Sequence, residues 1–166
     1  MGAREDYVLY AQAYARLGAL TPIPADCGEL CGRRCCTGDA EAGMILFPGE
    51  EALLAGTDFL TLQKHSMAGM TVGFAVCSGK CVRALRPLSC RCYPLAPYYD
   101  GKLLRVIADP RARNSCPLLD AEEMISPAFR TAVEEAFSIL LRSPSIARML
   151  RAYAQMLDGY LQFQYG

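Results

Sequence analysis

The chain predicts an α+β fold: a small antiparallel sheet with irregular cysteine-rich loops, an N-terminal helix and a C-terminal helical hairpin. Three observations predict it. Apolar residues recur at near-helical spacing at both ends, short apolar runs bounded by glycine and proline fill the middle, and eight of the nine cysteines crowd into two stretches of that middle. The length of 166 residues suits one domain, and a 52% hydrophobic share is enough to bury a core. The expected organisation is a single metal-binding unit over 1–166, cysteine-rich over 20–118 and helical over 120–166.

Tyr7, Leu9, Tyr10, Ala13, Tyr14 and Leu17 predict an amphipathic helix over 5–18, which Gly18 can end. Pro22 and Pro24 then hold the approach to the first cysteines extended. Met44 to Phe47 reads as a short strand, and Glu50-Glu51 open a short helix through Leu54 that Gly56 closes. Phe59 to Leu62 and Met70 to Cys77 are further strands, the second weakened by Gly69 and Gly73. Asp100-Gly101 signals a hairpin turn, with Leu103 to Ala108 returning. Ser126-Pro127 and Ser143-Pro144 each place a capping serine before a proline at the first helical position. The first helix they open carries Phe129, Val133, Phe137, Leu140 and Leu141 on one face; the second carries Ile146, Met149, Leu150, Tyr153, Met156, Leu157, Tyr160 and Leu161.

Charge excludes some functions. The formal net charge is zero, so no global field favours nucleic acid or an anionic membrane. No apolar run approaches the roughly 20 residues that span a bilayer. Arg4, Glu5, Asp6, Gln12 and Arg16 interrupt any signal-peptide core, so the expected location is the reducing cytoplasm, where disulfides rarely persist. An odd cysteine count and an adjacent pair also argue against a disulfide framework.

The first cluster is Cys27-x3-Cys31-x3-Cys35-Cys36; the second is Cys77-x3-Cys81, then Cys90-x-Cys92. Each offers four thiols, the number taken by a tetrahedral zinc ion or by the irons of an iron–sulfur cluster. All eight are candidate metal ligands. Neighbouring side chains in extended backbone point apart, so Cys35 and Cys36 serve different ions or one of them bridges two. Cys90 and Cys92 can aim at one centre only where the backbone turns locally, and Pro87 and Pro94 disfavour a strand there. Cys116 reads as a small buried side chain beside Pro117; the alternative is a replacement ligand that frees a cluster member. His65 is the one histidine, in a polar stretch, and eight thiols leave no need of it. Asp26, Glu29, Glu50 and Glu51 read as surface carboxylates or partners of helix dipoles.

The segment Arg86-Pro87-Leu88-Ser89-Cys90-Arg91-Cys92-Tyr93-Pro94, preceded by Cys77, Cys81 and the first cluster, resembles the YkgJ-type cysteine-cluster family of zinc- or iron-chelating domains. Arg86, Pro87, Cys90, Arg91, Tyr93 and Pro94 stand where that family's RPxxCRxYP segment has them. The first cluster departs from the family spacing, because three residues separate Cys27 from Cys31 and Cys31 from Cys35, and Cys92 has no counterpart. The resemblance covers about residues 25–95. It implies metal chelation, leaves zinc and iron open, and supplies no reaction.

Between Lys80 and Arg113 stand eight basic residues against Asp100 and Asp109, with Tyr93, Tyr98 and Tyr99 among them. Such interleaving suits single-stranded nucleic acid. Charge compensation is favoured instead: a divalent ion on four thiolates keeps a net charge of about −2, which nearby guanidiniums offset while donating hydrogen bonds to sulfur. Arg33, Arg34, Arg83, Arg86 and Arg91 are placed for this, Arg86 and Arg91 foremost, so replacing Arg91 is expected to weaken metal retention.

No GxSxG, P-loop or GxGxxG occurs. The expectation is a metal-chelating cysteine-cluster protein, its thiolates holding zinc in a structural or interaction role. An iron–sulfur protein in electron transfer, redox sensing or metal handling is the first alternative, and a metal-dependent modifying enzyme the second. The expected partners are metal ions, with nucleic acid disfavoured and no membrane. Tyr153, Met156, Leu157, Tyr160, Leu161 and Phe163 exceed what one core face absorbs, which leaves room for an oligomer contact through the C-terminal helices.

Overall fold

The computed structural model describes residues 3–36 and 43–165. In chain order its elements are α1 (Ala3–Leu17), α2 (Cys27–Cys31), β1 (Met44–Leu46), α3 (Glu50–Leu54), β2 (Leu60–Met67), β3 (Met70–Cys77), α4 (Leu88–Cys92), β4 (Leu95–Tyr99), β5 (Leu104–Ala108), α5 (Pro127–Leu140) and α6 (Pro144–Tyr165). Short 3-10 turns fill the intervals after β3 and β5. The class is the α+β fold that the sequence predicts, with the strands split between two small antiparallel sheets.

The first sheet has the order β1-β3-β2. Its centre, β3, buries Val72, Phe74 and Ala75, which is why an apolar run sits there. The strand β2 runs five residues past the predicted Leu62, because it pairs with β3 continuously from Leu60↔Cys77 to Met67↔Met70. Its outward face is polar and shows little periodicity, so hydrophobic pattern understated its length. Gly69, expected to weaken a strand, is instead the second residue of the tight turn: Ala68 and Gly69 both take positive φ (46° and 76°), as a two-residue hairpin requires.

The second sheet is the β4–β5 hairpin, paired from Leu95↔Ala108 to Tyr99↔Leu104. Asp100 shapes its turn, its Oδ1 accepting from the Lys102 and Leu103 N–H groups at 2.8 and 2.9 Å.

Helix α5 packs along α1, and α6 lies across β4. They follow one another through Leu141–Ser143, but each packs chiefly on these other elements rather than on its neighbour. The Ser126 cap forms as predicted, Oγ accepting from the Phe129 N–H at 3.4 Å with Pro127 first in the helix. Phe47, fully buried after β1, meets Phe137 of α5 and Tyr153 of α6 edge-on, at centroid distances of 5.2 and 5.8 Å. Among the described residues no helix is long and apolar enough to cross a membrane.

Glu50 departs from the expectation of a surface carboxylate. It is fully buried, and its two oxygens accept from three groups: Tyr14 Oη and the Leu88 N–H, both at 2.7 Å, and the Phe47 N–H at 3.0 Å. One carboxyl group thereby ties α1, the end of β1 and the start of α4 together. Ser89 adds a second tie, its Oγ donating to the Ile45 carbonyl at 2.7 Å. These two links set the position of α4, the single turn of helix that carries Cys90.

Candidate metal centre

The two cysteine clusters meet in space. Asp26 caps α2 through its Oδ1, which accepts from the Gly28 N–H at 3.0 Å. Cys27 and Cys31, four apart on that helix, share one face. Gly32 then takes a left-handed conformation (φ 61°), which ends α2 and turns the chain back towards Cys35 and Cys36. Cys77 ends β3, Cys81 lies in the loop beyond it, and Cys90 sits mid-way along α4.

Seven of the predicted ligands line two small cavities. Cys35, Cys36, Cys77, Cys81 and Cys90 face one, with Arg86, Pro87 and Phe59 in its wall. Cys27, Cys31 and Cys35 face the other, alongside Tyr93 and Cys116. Each encloses about 20 Å³ of space. All nine thiols are free. Among the described residues no three histidine, cysteine, aspartate or glutamate side chains stand at coordination spacing; the thiols share cavity walls without having closed on a common point.

Cys92 is the ligand candidate that the structure leaves apart. It is fully buried within the hydrophobic core. The physical reason is helical: residues two apart on α4 face opposite sides, so a turn that aims Cys90 at the cavity aims Cys92 inward. Burial, with the charge of Glu50 next, holds its thiol well above the usual range.

Arg86 is where charge compensation was expected: its Nε donates to Cys81 Sγ at 2.9 Å. Burial works to lower the guanidinium's pKa, but the bond to Cys81 and the nearby Cys90 and Cys36 outweigh it and raise the value. Arg91 is placed otherwise. It is buried, donates to the Gly18 carbonyl and lies over the Tyr14 ring at 5.1 Å, so it fastens α4 to α1 instead of touching a sulfur. Arg83 likewise goes to a carbonyl, that of Leu20 at 2.6 Å, and Arg33 pairs with Asp26 at 3.4 Å.

The sulfurs of Cys35 and Cys36 lie 3.9 Å apart. The contact between them, helped by Arg86 and Arg33, lowers the Cys36 thiol to about 6, while Cys35 is raised. Cys90 is pushed up to about 12, first by burial, then by the neighbouring Cys36, Cys81 and Cys77 against the pull of Arg86. Burial also raises Cys27 and Cys77, although the Gly79 N–H donates to Cys77 Sγ at 3.4 Å and works the other way. The arrangement is a set of thiols that raise or lower one another around one guanidinium.

His65 takes no part. It stacks on Phe74 at a centroid distance of 4.0 Å and bonds to Gln63, on the exposed side of β2. A roomier groove of about 150 Å³ between α1 and α3 is lined by Tyr7, Ala11, Tyr14, Leu53, Leu54, Ala84 and Leu85, without a thiol or carboxylate. No family model, curated protein or solved structure matches the chain.

Proposed function

We propose that this chain is a thiolate metal-binding protein which holds zinc where its two cysteine clusters meet, and that the metal fixes the cysteine-rich loops as an interaction surface. The observation that carries this is the convergence of Cys36, Cys77, Cys81 and Cys90, drawn from three separate stretches of chain, on one small cavity beside Arg86. Four thiolates are the donor set of a closed structural zinc site. Zinc when bound would supply no redox step; it would cross-link β3, α4 and the segment after α2. The resemblance of residues 25–95 to the YkgJ-type family supports chelation independently of the fold.

All-thiolate ligands at short spacings and the lack of a redox-partner motif in the sequence favour zinc slightly over an iron–sulfur cluster. The cytoplasm, where such thiols stay reduced, is the proposed location.

Metal and acid-labile sulfide, measured with an absorption spectrum on protein purified without oxygen, test the reading. Zinc without sulfide or a visible band is expected. Iron with sulfide and a broad visible band would replace zinc by an iron–sulfur centre, and a chain that takes up neither metal overturns chelation altogether.

Arg86 supplies a sharper prediction. Replacing it with alanine removes the donor to Cys81 and is expected to weaken metal affinity about 10- to 100-fold, as loss of such supporting bonds does. Arg91→Ala should act on stability more than on metal. Competition with a chromophoric chelator measures both, and equal affinity in Arg86→Ala and the parent protein would remove the role assigned to Arg86.

A further inference from the structure

Building on that reading, we infer that the chain carries a second, separate metal centre, formed by Cys27, Cys31, Cys35 and Cys116, and that Cys116 takes the ligand place which the sequence pattern gives to Cys92. The first observation is the second cavity, whose walls hold those four thiols and no other cysteine. Three come from the α2 turn and the bend after it. The fourth arrives from the opposite direction, 80 residues further along the chain than Cys36, at the foot of the 3-10 turn Pro117–Asp120.

The second observation is the setting of Cys116 itself. As the residue before that turn, it is fixed through its backbone: its carbonyl accepts from the Leu119 N–H at 3.2 Å and its own N–H donates to the Ala112 carbonyl at 2.8 Å. Cys116 lines the same cavity as Cys27 and Cys31. Tyr93, Pro94, Pro117 and Leu118 close the remaining wall with largely apolar surface. Tyr93 is held in place by its bond to Ser115 at 2.5 Å. A small cavity of this kind, dry on one side and thiol-lined on the other, suits a soft divalent cation.

The arithmetic of the thiols closes. Nine cysteines less the core residue Cys92 leave eight, which divide into Cys27, Cys31, Cys35 and Cys116 on one side and Cys36, Cys77, Cys81 and Cys90 on the other. The peptide between Cys35 and Cys36 is the seam: Cys35 borders both cavities, Cys36 only the first. Binding at either centre is ligand exchange without redox change. Each thiol gives its proton to water or buffer and its sulfur lone pair to the cation.

The test is zinc stoichiometry on zinc-reconstituted full-length protein and three single variants. The parent chain is expected to hold about two ions, Cys116→Ser about one, Cys90→Ser about one and Cys92→Ser about two, at four thiolates per ion. Retention of two ions by Cys116→Ser, or loss of one by Cys92→Ser, overturns the assignment. A parent chain with a single ion that Cys90→Ser loses and Cys116→Ser keeps removes the second centre and leaves the first standing; a chain with none removes both. Cys31→Ser lies on a helix without buried residues and repeats the test without disturbing the core. In cobalt-substituted protein, its thiolate-to-metal absorption should fall by about half, because four of eight thiolates are lost with one ion. An undiminished band in Cys31→Ser overturns the centre.

Discussion

Glu50→Ala is expected to cost about 3 kcal/mol of folding stability, because it strands the buried N–H groups of Phe47 and Leu88 at about 1–3 kcal/mol each, offset in part by removal of a buried acid. The damage should reach the metal. The Leu88 bond is one of two that position α4, so Cys90 loses its fixed direction and metal affinity should fall with stability. Equilibrium denaturation and chelator competition on the same variant read the two effects. A stability change within about 0.5 kcal/mol, the scatter of ordinary surface changes, would mean that Glu50 ties nothing together.

The same residue predicts a pH dependence. Burial holds the Glu50 carboxyl above the ordinary carboxylate range, although the Leu88, Tyr14 and Phe47 donors pull the other way. A raised carboxyl binds its proton more tightly in the fold than in the unfolded chain. Its contribution is therefore complete below the unfolded pKa of about 4.3 and is lost as pH rises through the folded value. Glu50→Gln has no such proton to lose, so its stability should be flatter over that window. An identical slope in the two proteins would assign the pH dependence to other groups.

Phe47→Ala should be at least as severe, about 3–5 kcal/mol, the usual loss for a fully buried phenylalanine. Its ring fills the junction of β1, α5 and α6, and both aromatic contacts vanish with it. The walls of that cavity are helices packed from several sides, so collapse recovers little. Phe47→Leu should regain most of the loss. Denaturation midpoints at constant slope distinguish a true stability change from altered compactness, and a Phe47→Ala loss below about 1 kcal/mol, less than one bond's worth, would place the core elsewhere.

The predicted features that held were those settled by local chemistry. Ser126-Pro127 specifies its own cap, and Asp100-Gly101 its own turn, because the hydrogen bonds close within three residues. The period of Leu9, Tyr10, Ala13 and Leu17 marks the buried side of α1 directly. What stayed illegible depends on distant partners. Nothing near Glu50 in sequence announces that Leu88 and Tyr14 will enclose it. Arg91 looks like Arg86 on paper, yet α4 turns one towards Tyr14 while Arg86, just before the helix, reaches Cys81. The exchange of Cys92 for Cys116 at the cavities has the same origin. Spacing says that Cys90 and Cys92 are close, whereas the helix sends them to opposite sides and the 3-10 turn brings Cys116 from afar.

Helix α2 has five residues and none of them is buried. So short a helix is not stable by itself, and its opening exposes almost no apolar surface. It therefore belongs to the part of the molecule that opens most often, at a small fraction of the global unfolding free energy, while α5 and α6 stay closed. In the second centre inferred above, two of the four thiols, Cys27 and Cys31, would be mounted on this short helix. A cation captured there would need only this helix to open, and its capture should slow the exchange of the α2 amides with solvent, which hydrogen exchange with and without metal would read.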